Sequence, residues 1–108
     1  MKAYQNFVNG QYVGAAEGGT IPVVNPATGE QYATAPLSKG ADVDTAMRAA
    51  SDAFESWRDS TPKDRSLALF RIADAIEARA EEFIALESEN CGKPICITRS
   101  EESPPMVD

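Results

Sequence analysis

At about Ala41 the hydrophobic period of this chain changes from two residues to roughly 3.6, which places strands first and helices after. Before the change, short runs of β-formers alternate with turn residues. Phe7-Val8-Asn9-Gly10-Gln11-Tyr12-Val13 sets Asn-Gly between two such runs. That dipeptide accepts positive φ at both central positions, so a tight hairpin is predicted. Gly14 to Thr20 reads as a loop, Ile21 to Val24 as a strand, and Gln31 to Ala35 as the return strand. Between those strands Asn25-Pro26-Ala27-Thr28-Gly29-Glu30 turns the chain. Pro26 fixes φ at its start, Gly29 supplies a left-handed position near its end, and Asn25 is expected to satisfy turn backbone. Pro36 to Gly40 is a connector.

After the change, Val43, Ala46, Met47, Ala50, Ala53, Phe54 and Trp57 fall on one face of an amphipathic helix. Asp42 and Asp44 sit in its first turn, where negative charge suits the helix dipole. Phe54 and Trp57 close the apolar face and are expected to pack in a core. Asp59-Ser60 ends this helix. Thr61-Pro62-Lys63-Asp64 starts the next: Thr61 as N-cap, Pro62 at the first helical position, Asp64 reaching back as the capping-box acid. Leu69, Ile72, Ala73, Ile76, Ala80, Phe83 and Ile84 keep helical spacing to about Asn90, a run of roughly 40 Å. Gly92 stops it and Pro94 prevents continuation. The short connector favours antiparallel neighbours. The fold class is α+β: two N-terminal β-hairpins followed by two long antiparallel helices. Residues 1–40 form the hairpin region and 41–94 the helix pair, while 95–108 start a third helix that stays incomplete.

Composition narrows the function classes. A chain of 108 residues is at most one domain. The formal charge of -7 argues against nucleic acid and anionic membranes, which need a basic patch. Neither a signal peptide nor a membrane-length apolar run is present, so a cytoplasmic location is expected. The chain has no His, which removes Ser-His-Asp and Cys-His nucleophile activation. It has neither of the common glycine-rich phosphate cradles.

Cys91 and Cys96 are the only cysteines. Their spacing is not that of a redox or zinc pair, and no other soft ligands complete a tetrahedral site. Lys93 would favour a Cys91 thiolate, whereas the helix C-terminus disfavours one. Cys91 therefore reads as a small, partly buried residue beside the Gly92 cap. Glu81-Glu82 and Glu101-Glu102 are sequence neighbours about 100° apart on a helix, a solvated face rather than a carboxylate dyad.

Taken in order, these residues resemble the amino-terminal region of the NAD(P)-dependent aldehyde dehydrogenase superfamily. Phe7 to Val13 is similar to the family's opening hairpin, and Val24-Asn25-Pro26-Ala27-Thr28-Gly29-Glu30 to its "NPATGE" turn. Ala41-Asp42-Val43-Asp44-Thr45-Ala46 resembles the start of its first helix, Trp57 falls where the family often has Trp, Arg65 to Asn90 resembles its long second helix, and Gly92-Lys93-Pro94 resembles the "TGKP" that follows. The ordered set spans about ninety residues. Glu101 to Asp108, including Pro104-Pro105-Met106-Val107-Asp108, is similar to a subgroup acting on aminoaldehydes such as gamma-aminobutyraldehyde or betaine aldehyde.

The resemblance implies an amino-terminal fragment of an enzyme that oxidises an aldehyde, here an aminoaldehyde, to its acid with NAD or NADP. It also implies part of the α/β coenzyme-binding domain of a homo-oligomeric parent, with the remainder of that fold as partner. The family's nucleophilic Cys, activating Glu and coenzyme loop have no counterpart here; Cys91 stands where Thr is usual. No catalytic or cofactor-binding residue carries over, and the isolated chain is expected to be inactive. Betaine-aldehyde-type members bind a structural monovalent cation, K+ or Na+, and the positions matching its amino-terminal ligands are Val23, Val24 and Asn90. The family often has an acid at the position of Asn90, which is otherwise expected to cap its helix. The rival reading is a non-enzymatic helical interaction module whose apolar faces dock on a partner. A thiol-redox protein using Cys91 and Cys96 is a third.

Overall fold

The computed structural model describes residues 1–102. The resemblance of residues 103–108 to the aminoaldehyde subgroup lies outside the described residues. The chain divides into two compact units, one of Met1–Val24 with Gln31–Ser60, the other of Asn25–Glu30 with the chain from Thr61 onward.

The first unit holds five strands and a helix. Strands β2 (Asn6–Val8) and β3 (Gln11–Val13) form an antiparallel hairpin with Val8 opposite Gln11. Asn9 and Gly10 take φ of 50° and 76°, both left-handed as the Asn-Gly turn requires. The cross-strand pair Phe7 and Tyr12 stacks tilted, with ring centroids 5.1 Å apart. The second hairpin joins β4 (Thr20–Val24) to β5 (Gln31–Pro36). Their register slips between Val23, opposite Ala33, and Val24, opposite Gln31, a bulge that leaves Tyr32 as the extra residue.

One strand escapes the sequence pattern. β1 (Lys2–Ala3) pairs in parallel with β5, giving the order β1-β5-β4. Two residues are too few to show alternation. Flanked on both sides, Ala33 in β5 is fully buried.

Helix α1 spans Gly40–Arg58. Its entry is fixed by Asp42, whose Oδ2 accepts the Lys39 N–H at 2.8 Å. At its end the Ser60 hydroxyl donates to the Trp57 carbonyl at 2.6 Å. The amphipathic pattern is present, but the expected core placement is not. No residue of α1 is buried, and Phe54 and Trp57 are 55% and 46% exposed. The stripe is built for a surface that these residues do not supply.

The second unit begins with α2 (Pro62–Ala78), and its capping box forms as predicted. Asp64 N–H donates to Thr61 Oγ1 at 3.1 Å and Thr61 N–H donates to Asp64 Oδ2 at 3.4 Å. The single helix expected through Asn90 is interrupted at Arg79, where φ is -116° and ψ 20°, and α3 (Ala80–Cys91) starts anew. No Pro or Gly marks the break. The Arg79 N–H turns back to the Ile76 carbonyl, a tightened last turn. The Arg79 guanidinium then forks onto Glu82 at 2.7 and 2.9 Å in the first turn of α3. Acids there complement the restarted dipole. A short α4 (Ile95–Ile97) and a π-helical turn (Thr98–Glu102) follow. Ile84 and Thr98 are the buried residues of this unit among those described.

Candidate functional site

The two segments that the resemblance singles out, residues 25–30 and Gly92-Lys93-Pro94, belong to the same compact unit. The turn is held by its own polar groups. Asn25 Oδ1 accepts the Ala27 N–H at 2.9 Å, and the Asn25 carbonyl accepts the Gly29 N–H at 2.8 Å. Thr28 Oγ1 accepts the Glu30 N–H at 3.2 Å, and the Asn25 N–H donates to the Glu30 carbonyl at 2.9 Å. Gly29 has φ 73°, the left-handed position predicted for it. The Asn25 and Thr28 side chains are thus occupied with backbone, which is how such residues commonly serve a turn.

Gly92 closes α3 from the left-handed region at φ 73°, its N–H on the Ser88 carbonyl at 2.9 Å. It is also where the turn packs. A Cβ placed on Gly92 would lie 2.9 Å from Pro26 Cγ and 3.6 Å from Pro26 Cβ. Gly92 is therefore required twice, by conformation and by space. The two motifs read as markers in the sequence are one junction in the structure: the Pro26 ring sits on the glycine that stops α3.

Around this junction lies a polar network that the sequence reading did not find. The Ser88 hydroxyl donates to the Lys93 carbonyl at 2.7 Å, and Lys93 Nζ pairs with Glu87 Oε1 at 3.1 Å. The Lys93 ammonium, and after it the Cys91 thiol, hold the Glu87 carboxyl below the usual carboxylate range. A pairing six residues apart across a glycine stop has no helical periodicity to reveal it. Glu81, read as part of a solvated face, forks with Arg99 at 2.7 and 3.1 Å, tying the π-helical turn to α3. That hydrogen-bonded guanidinium lowers the Glu81 carboxyl and raises Arg99. Both acids of the Glu81-Glu82 pair remain exposed, but each is used.

Two expectations change at the residue level. Cys91 is exposed rather than partly buried, and Cys96 is exposed too. Asn90 does not cap α3, because Gly92 occupies the cap; Asn90 lies in the last turn with Nδ2 3.9 Å from Cys91 Sγ. Val23 and Val24 flank the β4 bulge, Val23 half-buried and Val24 exposed. A bulge disrupts the ladder locally. Among the described residues no group of three or more His, Cys, Asp or Glu could hold a metal ion.

Two shallow clefts, about 310 and 380 Å³, run beside the β2–β3 hairpin and α1 in the first unit. Phe7, Val8 and Ala46 line both, and Asp42 is the one charged residue among their linings. A single carboxylate without an acid-base partner gives neither cleft the makings of a catalytic pair. No helix among the described residues is long and apolar enough to cross a membrane.

Residues 12–108 match the pattern of the aldehyde dehydrogenase family. The chain belongs to that family. It is 40% identical over 100 residues to the 2-aminomuconic semialdehyde dehydrogenase of Danio rerio, covering 93% of this chain and 20% of that protein. It is 43% identical over 91 residues to the NADP/NAD-dependent aldehyde dehydrogenase PuuC of Escherichia coli, covering 82% and 18%. The Bacillus cereus aldehyde dehydrogenase in its NAD+ complex superposes with a TM-score of 0.94 at 33% identity, over 98% of this chain and 22% of that one. PnpE in complex with nicotinamide adenine dinucleotide superposes with a TM-score of 0.93 at 38% identity, over 96% and 21%. The chain thus spans about a fifth of the length of the relatives it matches.

Proposed function

We propose that this segment is the amino-terminal corner of an enzyme that oxidises an aldehyde to its carboxylic acid with NAD or NADP. Its own part is to hold backbone in place. The observation that carries this reading is the Pro26–Gly92 junction, lying in a stretch that superposes closely on a fifth of a dehydrogenase. The Asn25 and Thr28 side chains of the turn are engaged with its own backbone, and the clefts carry no catalytic pair. In this reading the nucleophile and the coenzyme loop come from the other four-fifths of the fold, which is also the partner of the exposed helix faces. The coenzyme would accept the hydride there. The NAD-bound relatives support that assignment. The test is a coenzyme-reduction assay on the purified chain with a panel of aldehydes and either coenzyme. No reduction above the protein-free rate is expected, and steady turnover would overturn the reading.

The finer reading is an aminoaldehyde substrate and a homo-oligomeric parent in the cytoplasm. The likeness of residues 101–108 to that subgroup supports the substrate, as does the amino-substituted semialdehyde in the name of the Danio rerio relative. A monovalent cation served by the Val23 and Val24 carbonyls and by Asn90 belongs to the same reading. Its support is the donor chemistry and the resemblance. Replacing K+ or Na+ by choline should lower the thermal midpoint of the full-length enzyme, and Asn90→Leu should remove that dependence. A midpoint indifferent to the cation would end the cation reading and leave the family assignment intact.

A further inference from the structure

We propose that Asp42 is a two-amide lock that holds residues 14–19 as a strap on the start of α1, and that losing its charge releases the strap without unfolding the helix. The two carboxylate oxygens serve different segments. Oδ2 accepts the Lys39 N–H at 2.8 Å, the expected duty of an acid in the first turn of a helix. Oδ1 accepts the Ala16 N–H at 2.8 Å, 26 residues away in sequence and outside any helix. Helix capping needs only the first of these bonds.

Two further links define what the lock releases. Glu17 pairs with Lys39 Nζ, an exposed ion pair on the same segment. The Leu37 N–H donates to the Gly19 carbonyl at 2.8 Å, anchoring the strap's far end beside β5. Exposed pairs such as Glu17–Lys39 contribute little by themselves. The strap's own turn, with the Gly18 N–H on the Ala15 carbonyl, is closed within the strap and makes no bond to α1. Asp42 is thus the hydrogen bond that joins the middle of the strap to the helix. Asp42 also lines the cleft between the β2–β3 hairpin and α1.

The charged groups facing Asp42 are Lys39 on the connector and, through it, Glu17 on the strap. The bonds from Lys39 and Ala16 hold the Asp42 carboxyl below its ordinary value of 3.8. A depressed carboxyl contributes above the unfolded value and loses that contribution as pH falls through the folded one. The lock is therefore closed at neutral pH and opens below 3.8.

The test is residue-resolved amide exchange on the 108-residue chain and its Asp42→Asn variant, with Asp44→Asn as control. Asparagine keeps the size but replaces one of the two acceptor oxygens by an NH2 donor; with its oxygen kept on the Lys39 N–H at the helix start, the NH2 faces the Ala16 N–H, donor against donor. The expected result is a fall of about tenfold or more in Ala16 protection, as for a lost hydrogen bond to a charged acceptor. Protection in the body of α1, from Ala46 to Ala53, should stay. An unchanged Ala16 amide, or an equal loss throughout α1, would overturn the proposal. A second measurement needs no variant: in an acid titration of the unaltered chain the Ala16 amide shift should follow the Asp42 carboxyl with a midpoint below 3.8. An Ala16 amide that ignores that titration would equally overturn it.

Discussion

Gly92 shows what a single residue does in this fold. It ends α3 with φ 73°, and it leaves 2.9 Å between a would-be Cβ and Pro26 Cγ. Gly92→Ala meets both constraints together. The left-handed conformation alone costs a non-glycine residue about 1–2 kcal/mol, and the clash adds to it. Amide exchange at Asn25 and Gly29 should therefore speed up by about tenfold or more, since 1.4 kcal/mol corresponds to roughly that factor. Unchanged exchange would mean that the turn does not depend on the cap. The sequence announced the stop, because Gly followed by Pro is a local signal. It could not announce the contact, because nothing local relates Pro26 to a residue sixty-six positions on. Likewise Asn25, Thr28 and Gly29 were legible as turn residues. Asn90 and Cys91 were not placed correctly, since exposure depends on what the rest of the fold covers.

At the scale of elements, caps and clamps do the organising. Thr61 and Asp64 close the start of α2 from both sides. Thr61→Ala should cost α2 about 1 kcal/mol of local stability, read as faster exchange in its first turns, with α3 unaffected. The break at Arg79 is the element the sequence hid. Its local composition is all helix-former, and only the acidic pair Glu81-Glu82, read as the first turn of a new helix, could have hinted at it. The same pair gives a pH dependence. Arg99 holds Glu81 below its ordinary value of 4.5, so the clamp contributes above that value and is lost as pH falls through the depressed one. Acid below 4.5 should loosen the π-helical turn from α3 before it affects α2, which NMR shifts of Arg99 and Ser100 would report. Arg99 itself is pushed up from its ordinary value by its hydrogen bond to Glu81 and stays charged throughout that window. If those shifts move only together with α2, the clamp is not a separate contributor.

At the scale of the whole molecule, apolar pattern and burial disagree. The helices carry well-formed amphipathic stripes, yet among the described residues only Ala33 and Ile84 are buried apolar side chains. Leu69, Phe70 and Ile72 in α2 are 66%, 68% and 56% exposed. Large apolar surface of this kind marks faces meant for other protein, which fits a segment covering about a fifth of its relatives. The α+β class, both hairpins and the starts of α1 and α2 were legible because periodicity and turn chemistry are local. The parallel β1 and the shared junction were not, because each depends on distant chain. The central claim is that this segment supplies scaffold while the chemistry belongs to the rest of an aldehyde dehydrogenase. A chimera tests it most directly, with the part of this chain that matches the Escherichia coli relative replacing the corresponding stretch of that enzyme. The folded chimera is predicted to keep kcat within about tenfold, a change of no more than roughly 1.4 kcal/mol in the barrier. A chimera that folds and binds coenzyme but has lost turnover would contradict the account.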